Sequence, residues 1–187
     1  MQNVKETSYL SVVIPLQKVS DRSIKYIESL HDSLSEQFLH YEVILVCNGE
    51  LAKLTETHLS VFRKFKQSTI VLNLSHKHSK EVAAYVGLEY AKGDYVLEIE
   101  QMDEEFDGSL VPLLMSELAK GSDVVSVVSK KPQPIMTKIF YGLMKKTATL
   151  PVDFETEKMR LVTRRALNKL FALKQRVKYR KSPHKSR

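Results

Sequence analysis

A single cysteine, Cys47, stands in the 187 residues, so no internal disulfide can staple the chain. No stretch approaches the roughly 18 consecutive apolar residues that a spanning helix requires, so no membrane-crossing helix is expected. A charged-then-apolar leader is missing from the opening residues. With the lone cysteine, that favours a reducing, cytoplasmic setting over secretion, with peripheral attachment at the inner face of a membrane left open. Acidic residues are missing from one long segment: Lys158 to Arg187 holds 12 Lys+Arg and no Asp or Glu. The formal net charge of +7 therefore divides into a basic end of +12 and a body of −5. A segregated basic end reads either as a contact for phosphates, on nucleic acid or on anionic lipid, or as a solvated tail. Aromatic residues interleaved with the basic ones stop at Tyr179, so stacking on single-stranded nucleic acid is weak and lipid is the favoured partner.

What the chain does contain is a real core, with 43% hydrophobic residues in a length that suits one domain. Short β-rich runs alternate with helix-like stretches, the pattern of an α/β fold whose sheet is mostly parallel and flanked by crossover helices. The strand candidates are LSVVIPL from Leu10, YEVILVC from Tyr41, STIVLNL from Ser68, DYVLEIE from Asp94 and DVVSVVS from Asp123. Most are apolar on both faces, as buried parallel strands are. Ile24, Ile27, Leu30 and Leu34 recur at helical spacing behind a Ser20/Asp21 cap, and Val82, Val86 and Tyr90 share a face of a second helix, from Ser79 to Ala91, that Gly93 stops. A third helix spans roughly Gly108 to Ala119. The prolines of KKPQP then release the chain from the sheet. In PIMTKIFYGLMKKTATLP, apolar Ile135, Met136, Ile139, Phe140, Leu143 and Met144 gather opposite Lys138, Lys145 and Lys146; this suits a helix at a membrane interface or one packed on the sheet edge. EKMRLVTRRALNKLFAL reads as a short strand or turn leading into a basic helix. The expected organisation is one domain over 1–173 and a flexible basic tail over 174–187.

The stretch GDYVLEIEQMDEEFDG carries the chemical question, because an apolar strand runs into Glu98, Glu100, Asp103, Glu104, Glu105 and Asp107. One reading is a metal and nucleotide site at a strand end. The other is an acidic loop and helix start, with Asp107 or Ser109 as the cap and the charges favoured by the helix dipole. His76 and His78, with Lys77 and Lys80, form an H-x-H pair with no third metal ligand nearby in sequence, and the cluster suits an anion in front of a helix better than zinc. Cys47 has no activating motif and reads as a buried apolar residue.

The order of these segments resembles the family 2 glycosyltransferases of the GT-A fold (Rossmann-like, single domain), particularly the dolichol-phosphate mannose synthase type that passes a sugar from a nucleotide to a polyprenyl phosphate. LSVVIPL is similar to the opening strand, YEVILVCNG to the second, LSHKHSKEVAAYVGLEYAKGDYVLEIE to the basic loop, Lys-Glu helix and Gly-Asp leading to the D-x-D motif, MTKIFYGLMKKTATLP to the interfacial helix and EKMRLVTRRAL to the Phe-Arg-Leu segment. The resemblance implies nucleotide contacts at Pro15 and Asn48, phosphate contacts at His76, Lys80 and Arg160, and Mg²⁺ or Mn²⁺ as cofactor if the chain is active. It implies a nucleotide sugar as donor and a polyprenyl phosphate or anionic lipid as partner.

The chain departs from the pattern at three donor-site signatures. Gln17, Lys18 and Val19 stand where the family has Tyr-Asn-Glu, and Cys47 and Asn48 stand where it has paired aspartates. Glu100 falls on the first aspartate of D-x-D, Met102 on the second and Glu104 on the glutamine that follows. D-x-D needs two hard oxygen ligands to hold the metal against the diphosphate, and a thioether is too soft. The metal candidates are therefore Glu100 with Asp103 or Glu104, if the loop shifts by one residue. A degenerate or weakly active family member is the expectation. The alternatives are an active inverting glycosyltransferase of polysaccharide or lipid-linked sugar synthesis, and a lipid- or nucleic-acid-binding module built on the basic end.

Overall fold

The computed structural model describes residues 5–16, 20–49, 60, 62–65, 68–100, 102, 106–129 and 156–180. Strands β1 (Leu10–Leu16), β2 (Tyr41–Asn48), β3 (Thr69–Leu74) and β4 (Tyr95–Ile99) pair in parallel in the spatial order β3-β2-β1-β4. Helix α1 (Asp21–Gln37) links β1 to β2, and α2 (Lys80–Tyr90) precedes β4. Helix α3 (Leu110–Ala119) leads to β5 (Val124–Ser129), and β6 (Thr156–Thr163) runs straight into α4 (Arg164–Arg180). All five expected strands and three expected helices form. The sixth strand enters antiparallel between β4 and β5, which turns a parallel sheet into a mostly parallel one. The boundary placed at 173 falls inside α4; the 131–155 stretch with the interfacial-helix candidate, and the last seven residues, lie outside the described residues.

Side chains alternate across the sheet with period two, and this sorts the core into two layers. Leu10, Val12, Ile14 and Leu16 of β1 join Val43 and Leu45 of β2 against Ile24, Ile27, Leu30 and Leu34 of α1 and Val111, Leu114 and Leu118 of α3. Val13, Ile44, Val46, Val96 and Val162 occupy the other face with Ala83 and Leu88 of α2 and Leu167 and Leu170 of α4. Helix α2 lies close because it offers small residues. A Cβ on Gly87 would stand 2.4 Å from Val13 Cγ1. Ser20 caps α1 in a reciprocal box with Ser23, satisfying donors that the first turn would otherwise leave open.

The second face also carries the buried polar residues of the strands. At the N-terminal ends of the strands, Ser11 Oγ donates to Glu42 Oε1 (2.6 Å), which also accepts from Lys92 N (2.9 Å), while Gly93 N donates to Ser11 Oγ (2.7 Å). Arg164 closes the same turn by donating to the carbonyls of Ala91 and Gly93. Gly93 is required there by contact, since a Cβ would sit 2.6 Å from Ser11 N and 2.7 Å from Tyr9 O. These bonds hold the turn that launches β4 and so set the position of everything at its far end.

Candidate functional site

The four parallel strands all finish on one edge of the sheet, and in open α/β sheets the crevice outside those ends is where ligands bind, at the point where strand order reverses. Here that point lies between β1 and β4. Their ladder stops at Val13 beside Glu98, while β1 continues along β2 as far as Leu16 beside Cys47. Pro15, which has no N–H to give a ladder, sits two residues past the stop. The strands part there, and Glu100 follows the last residue of β4 on the other side of the gap.

Glu100 is held between two cations. Arg160 Nη2 lies 3.0 Å from its Oε1 and Lys80 Nζ 3.3 Å from its Oε2. Lys80 Nζ also donates to the Glu100 main-chain oxygen at 2.6 Å. Arg160 comes from β6, whose antiparallel register sets it directly beside Glu98 on β4, and its Nη2 is 3.4 Å from Glu98 Oε2. Arg160 and Glu98 are both buried, at 7% side-chain exposure, whereas Glu100 is 18% and Lys80 34% exposed. The group thus runs outward from a buried ion pair to a partly solvated one.

Two of the residues expected to contact phosphate, Lys80 and Arg160, therefore meet on Glu100. His76 does not join them: it lies exposed in the loop before α2, and its ring and that of His78 are 6.2 Å apart. The loop is tied to β2 by Asn48, whose Nδ2 donates to His78 O (2.8 Å) and whose Oδ1 accepts from His78 N (2.8 Å). Next to it, Gly49 takes φ +74°, in the region that favours glycine, with its Cα facing the Lys77 backbone. Asn48 thus positions the residues that lead into α2. Ser79 caps that helix by accepting from Val82 N, and Lys80 is its first residue.

At the sequence level Glu98 was named only among the carboxylates of the acidic stretch and given no role of its own, though a signal for one existed. An acid on the inward face of an otherwise apolar strand needs a buried partner, and Glu98 follows Val96 on the face that packs against α2 and α4. Cys47 is fully buried and burial pushes its thiol up to about 11, so it is held as a thiol, as read from the sequence. In the acidic stretch, Ser109 stands at the cap position of α3 without a side-chain cap bond, and Asp107 Oδ1 accepts from Ser109 N and Ser109 Oγ in the turn just ahead of the helix.

A divalent cation at this edge would need hard oxygen ligands. Among the described residues the edge offers Glu100, with each oxygen already facing a cation, Glu98, buried against Arg160, and Met102, packed against the core. No group of three or more His, Cys, Asp or Glu that could hold a metal occurs among the described residues, while Asp103 and Glu104 lie outside them. The described residues do not fit a divalent ion.

The sequence profile of the family described as Glycosyl transferase family 2 matches residues 11–171. An uncharacterised glycosyltransferase of Synechocystis is 26% identical over 181 residues, covering 94% of this chain and 56% of the relative. The undecaprenyl-phosphate 4-deoxy-4-formamido-L-arabinose transferase of Edwardsiella ictaluri is 23% identical over 155 residues, 79% of this chain and 46% of that one. The chain thus spans about half the length of these relatives. Among solved structures, the mannosyltransferase of Pyrobaculum calidifontis, determined with GDP-Man and Mn²⁺, superposes with a TM-score of 0.56 at 14% identity, over 88% of this chain and 47% of that one.

Proposed function

The chain belongs to glycosyl transferase family 2, and we propose that it is a degenerate or weakly active member that recognises phosphate at the strand-end crevice without a metal-holding carboxylate pair. One observation carries this: Glu100, on the first D-x-D position, is engaged through both oxygens by Lys80 and Arg160. A carboxylate so placed is a poor ligand for Mg²⁺ or Mn²⁺, which would have to displace both cations. The ligands proposed are a nucleotide sugar, bound in the crevice at Pro15 with Asn48 shaping it by holding the His78 loop, and a polyprenyl or other lipid-linked phosphate. Any transfer would be an inverting, in-line displacement: an acceptor oxygen bonds to the anomeric carbon as the bond to the nucleoside diphosphate breaks and its electron pair leaves with the phosphate. The ammonium of Lys80 and the guanidinium of Arg160 would neutralise that leaving charge, and the fork of the guanidinium suits phosphate oxygens.

Calorimetric titration with UDP- and GDP-sugars, with and without Mn²⁺, tests the reading. Affinity weaker than micromolar and unchanged by Mn²⁺ is the expected result. Micromolar affinity with transfer or hydrolysis that appears only with Mn²⁺ would show that Glu100 serves a metal with Asp103 or Glu104, and the degenerate reading would fall.

The charge split favours a membrane surface as the place of action. Binding to anionic vesicles through Lys138, Lys145, Lys146 and the basic end is expected, at about 1 kcal/mol per basic residue near the surface. No helix among the described residues is long and apolar enough to cross a membrane. Co-sedimentation with phosphatidylglycerol vesicles should weaken as salt rises. Equal binding to neutral vesicles, or none to either, would count against it.

A further inference from the structure

We infer that the Glu100 carboxylate is an internal anion occupying an oxyanion site made by Lys80 and Arg160, and that a phosphate or diphosphate group takes the site by displacing it. The inference rests on the phosphate-recognition reading above and adds a contact that holds the site closed.

Both cations are anchored by atoms other than the carboxylate. Lys80 Nζ is 2.6 Å from the Glu100 main-chain oxygen, a bond that survives any rotation of the side chain. Arg160 is fixed beside Glu98 by the register of β4 and β6 and by its 3.4 Å contact with Glu98 Oε2. The Glu100 backbone is fixed too, since its N–H donates to Lys158 O at 2.8 Å. When the carboxylate swings away, a preorganised ammonium and guanidinium remain, and such a pair binds an anion with little reorganisation.

The carboxylate is also more exposed than the ion pair beneath it, 18% against 7% for Arg160 and Glu98, so a side-chain rotation carries it into solvent without opening the core. With Glu100 in place the four side chains hold two charges of each sign. Without it they hold an excess of one positive charge over a partly desolvated pocket, where Coulomb attraction is stronger than in bulk water. A diphosphate brings more charge and more oxygens than a carboxylate and is the better occupant of a two-cation site. The device sets a threshold, because an incoming phosphate must outcompete a carboxylate tethered at the site.

The test uses inorganic pyrophosphate in EDTA, titrated into the whole chain and its variants. Glu100→Gln should bind it at least ten times more tightly than wild type, because the competing charge is gone while the amide can still accept one hydrogen bond. Glu100→Asp, one methylene too short to reach both cations, should gain in the same direction by less, and it serves if the glutamine variant folds poorly. Adding Lys80→Met to Glu100→Gln should return the affinity to the wild-type level or below. Parallel titrations with UDP, GDP and geranyl phosphate identify the source of the phosphate, the ligand being whichever gains by the same factor as pyrophosphate. Unchanged or weaker pyrophosphate binding in both Glu100 variants would overturn the inference. That result is separable from failure of the degenerate reading, which is scored on wild-type protein with nucleotide sugars and Mn²⁺.

Discussion

Arg160→Met is expected to destabilise the fold by about 3–5 kcal/mol, because it withdraws a guanidinium from two carboxylates, one of them buried. Arg160 and Glu98 face each other across β4 and β6, each with only 7% of its side chain exposed. Glu98 cannot rotate into water without tearing the strand from its neighbours, since Val96 and Leu97 on either side of the pleat are fully buried. The remaining charge is then held in an environment of low dielectric, and that desolvation, more than the lost attraction, makes up the cost. A double variant, Arg160→Met with Glu98→Leu, removes the buried carboxylate as well. It should recover most of the loss, since a well-packed apolar pair is often as stable as the ion pair it replaces. Urea denaturation of wild type, single and double variants measures this. A loss below about 1 kcal/mol in the single variant, or a double variant no better than the single, would mean that the pair contributes little to holding β6 in the sheet.

Acidification is expected to remove roughly 3 kcal/mol of stability through one histidine. His31 lies fully buried on α1, its ring stacked on Phe65 at 4.2 Å between centroids and 5° between planes. Its Nε2 is 3.0 Å from Thr69 Oγ1 and its Nδ1 3.3 Å from Tyr41 Oη, so a neutral ring is served at both nitrogens. Burial lowers its pKa from 6.5 to about 4; nearby Asp32 acts the other way and Lys64 adds to the lowering. Above pH 6.5 the ring is neutral folded and unfolded, and its contribution is complete. Between pH 6.5 and about 4 the unfolded chain takes up a proton that the folded chain refuses, so stability falls by about 1.4 kcal/mol per pH unit at most. Below about 4 both states are protonated and the loss stops growing. Carboxylates titrate in part of this window too, so the measure is the difference between wild type and His31→Gln, in urea midpoints at pH 7.5 and pH 4.5. Wild type should lose about 2–3 kcal/mol more than the variant across that interval. Parallel losses in the two proteins would place the acid sensitivity elsewhere.

Much of the architecture was legible in the residue order. LSVVIPL and YEVILVC are apolar on both faces, which only a strand covered from both sides tolerates, and both form where expected. Ser20, Ser79 and Gly93 marked helix boundaries because caps and stops are local chemistry, written within a few residues. His31 was passed over although it falls seven residues after Ile24 and four after Ile27, on the apolar side of α1. Helical periodicity places a residue on a face, but says nothing of the ring that will stack on it from a distant segment.

At the candidate site the division is sharper. The sequence alone determined that a thioether, Met102, follows Glu100 by two residues, that Lys80 opens a helix behind a basic loop, and that the net positive charge lies at one end of the chain. Those are properties of residue type and order. Only the tertiary structure decided that β6 enters antiparallel beside β4, and hence that Arg160, 60 residues away, closes on Glu100 opposite Lys80. Strand pairing is set by burial and register between segments remote in sequence, and a shift of one residue would have turned Arg160 to the opposite face, away from Glu98. The meaning of Glu100, metal ligand or internal anion, depends on which charges arrive beside it from α2 and β6, and no window of sequence around it contains them both.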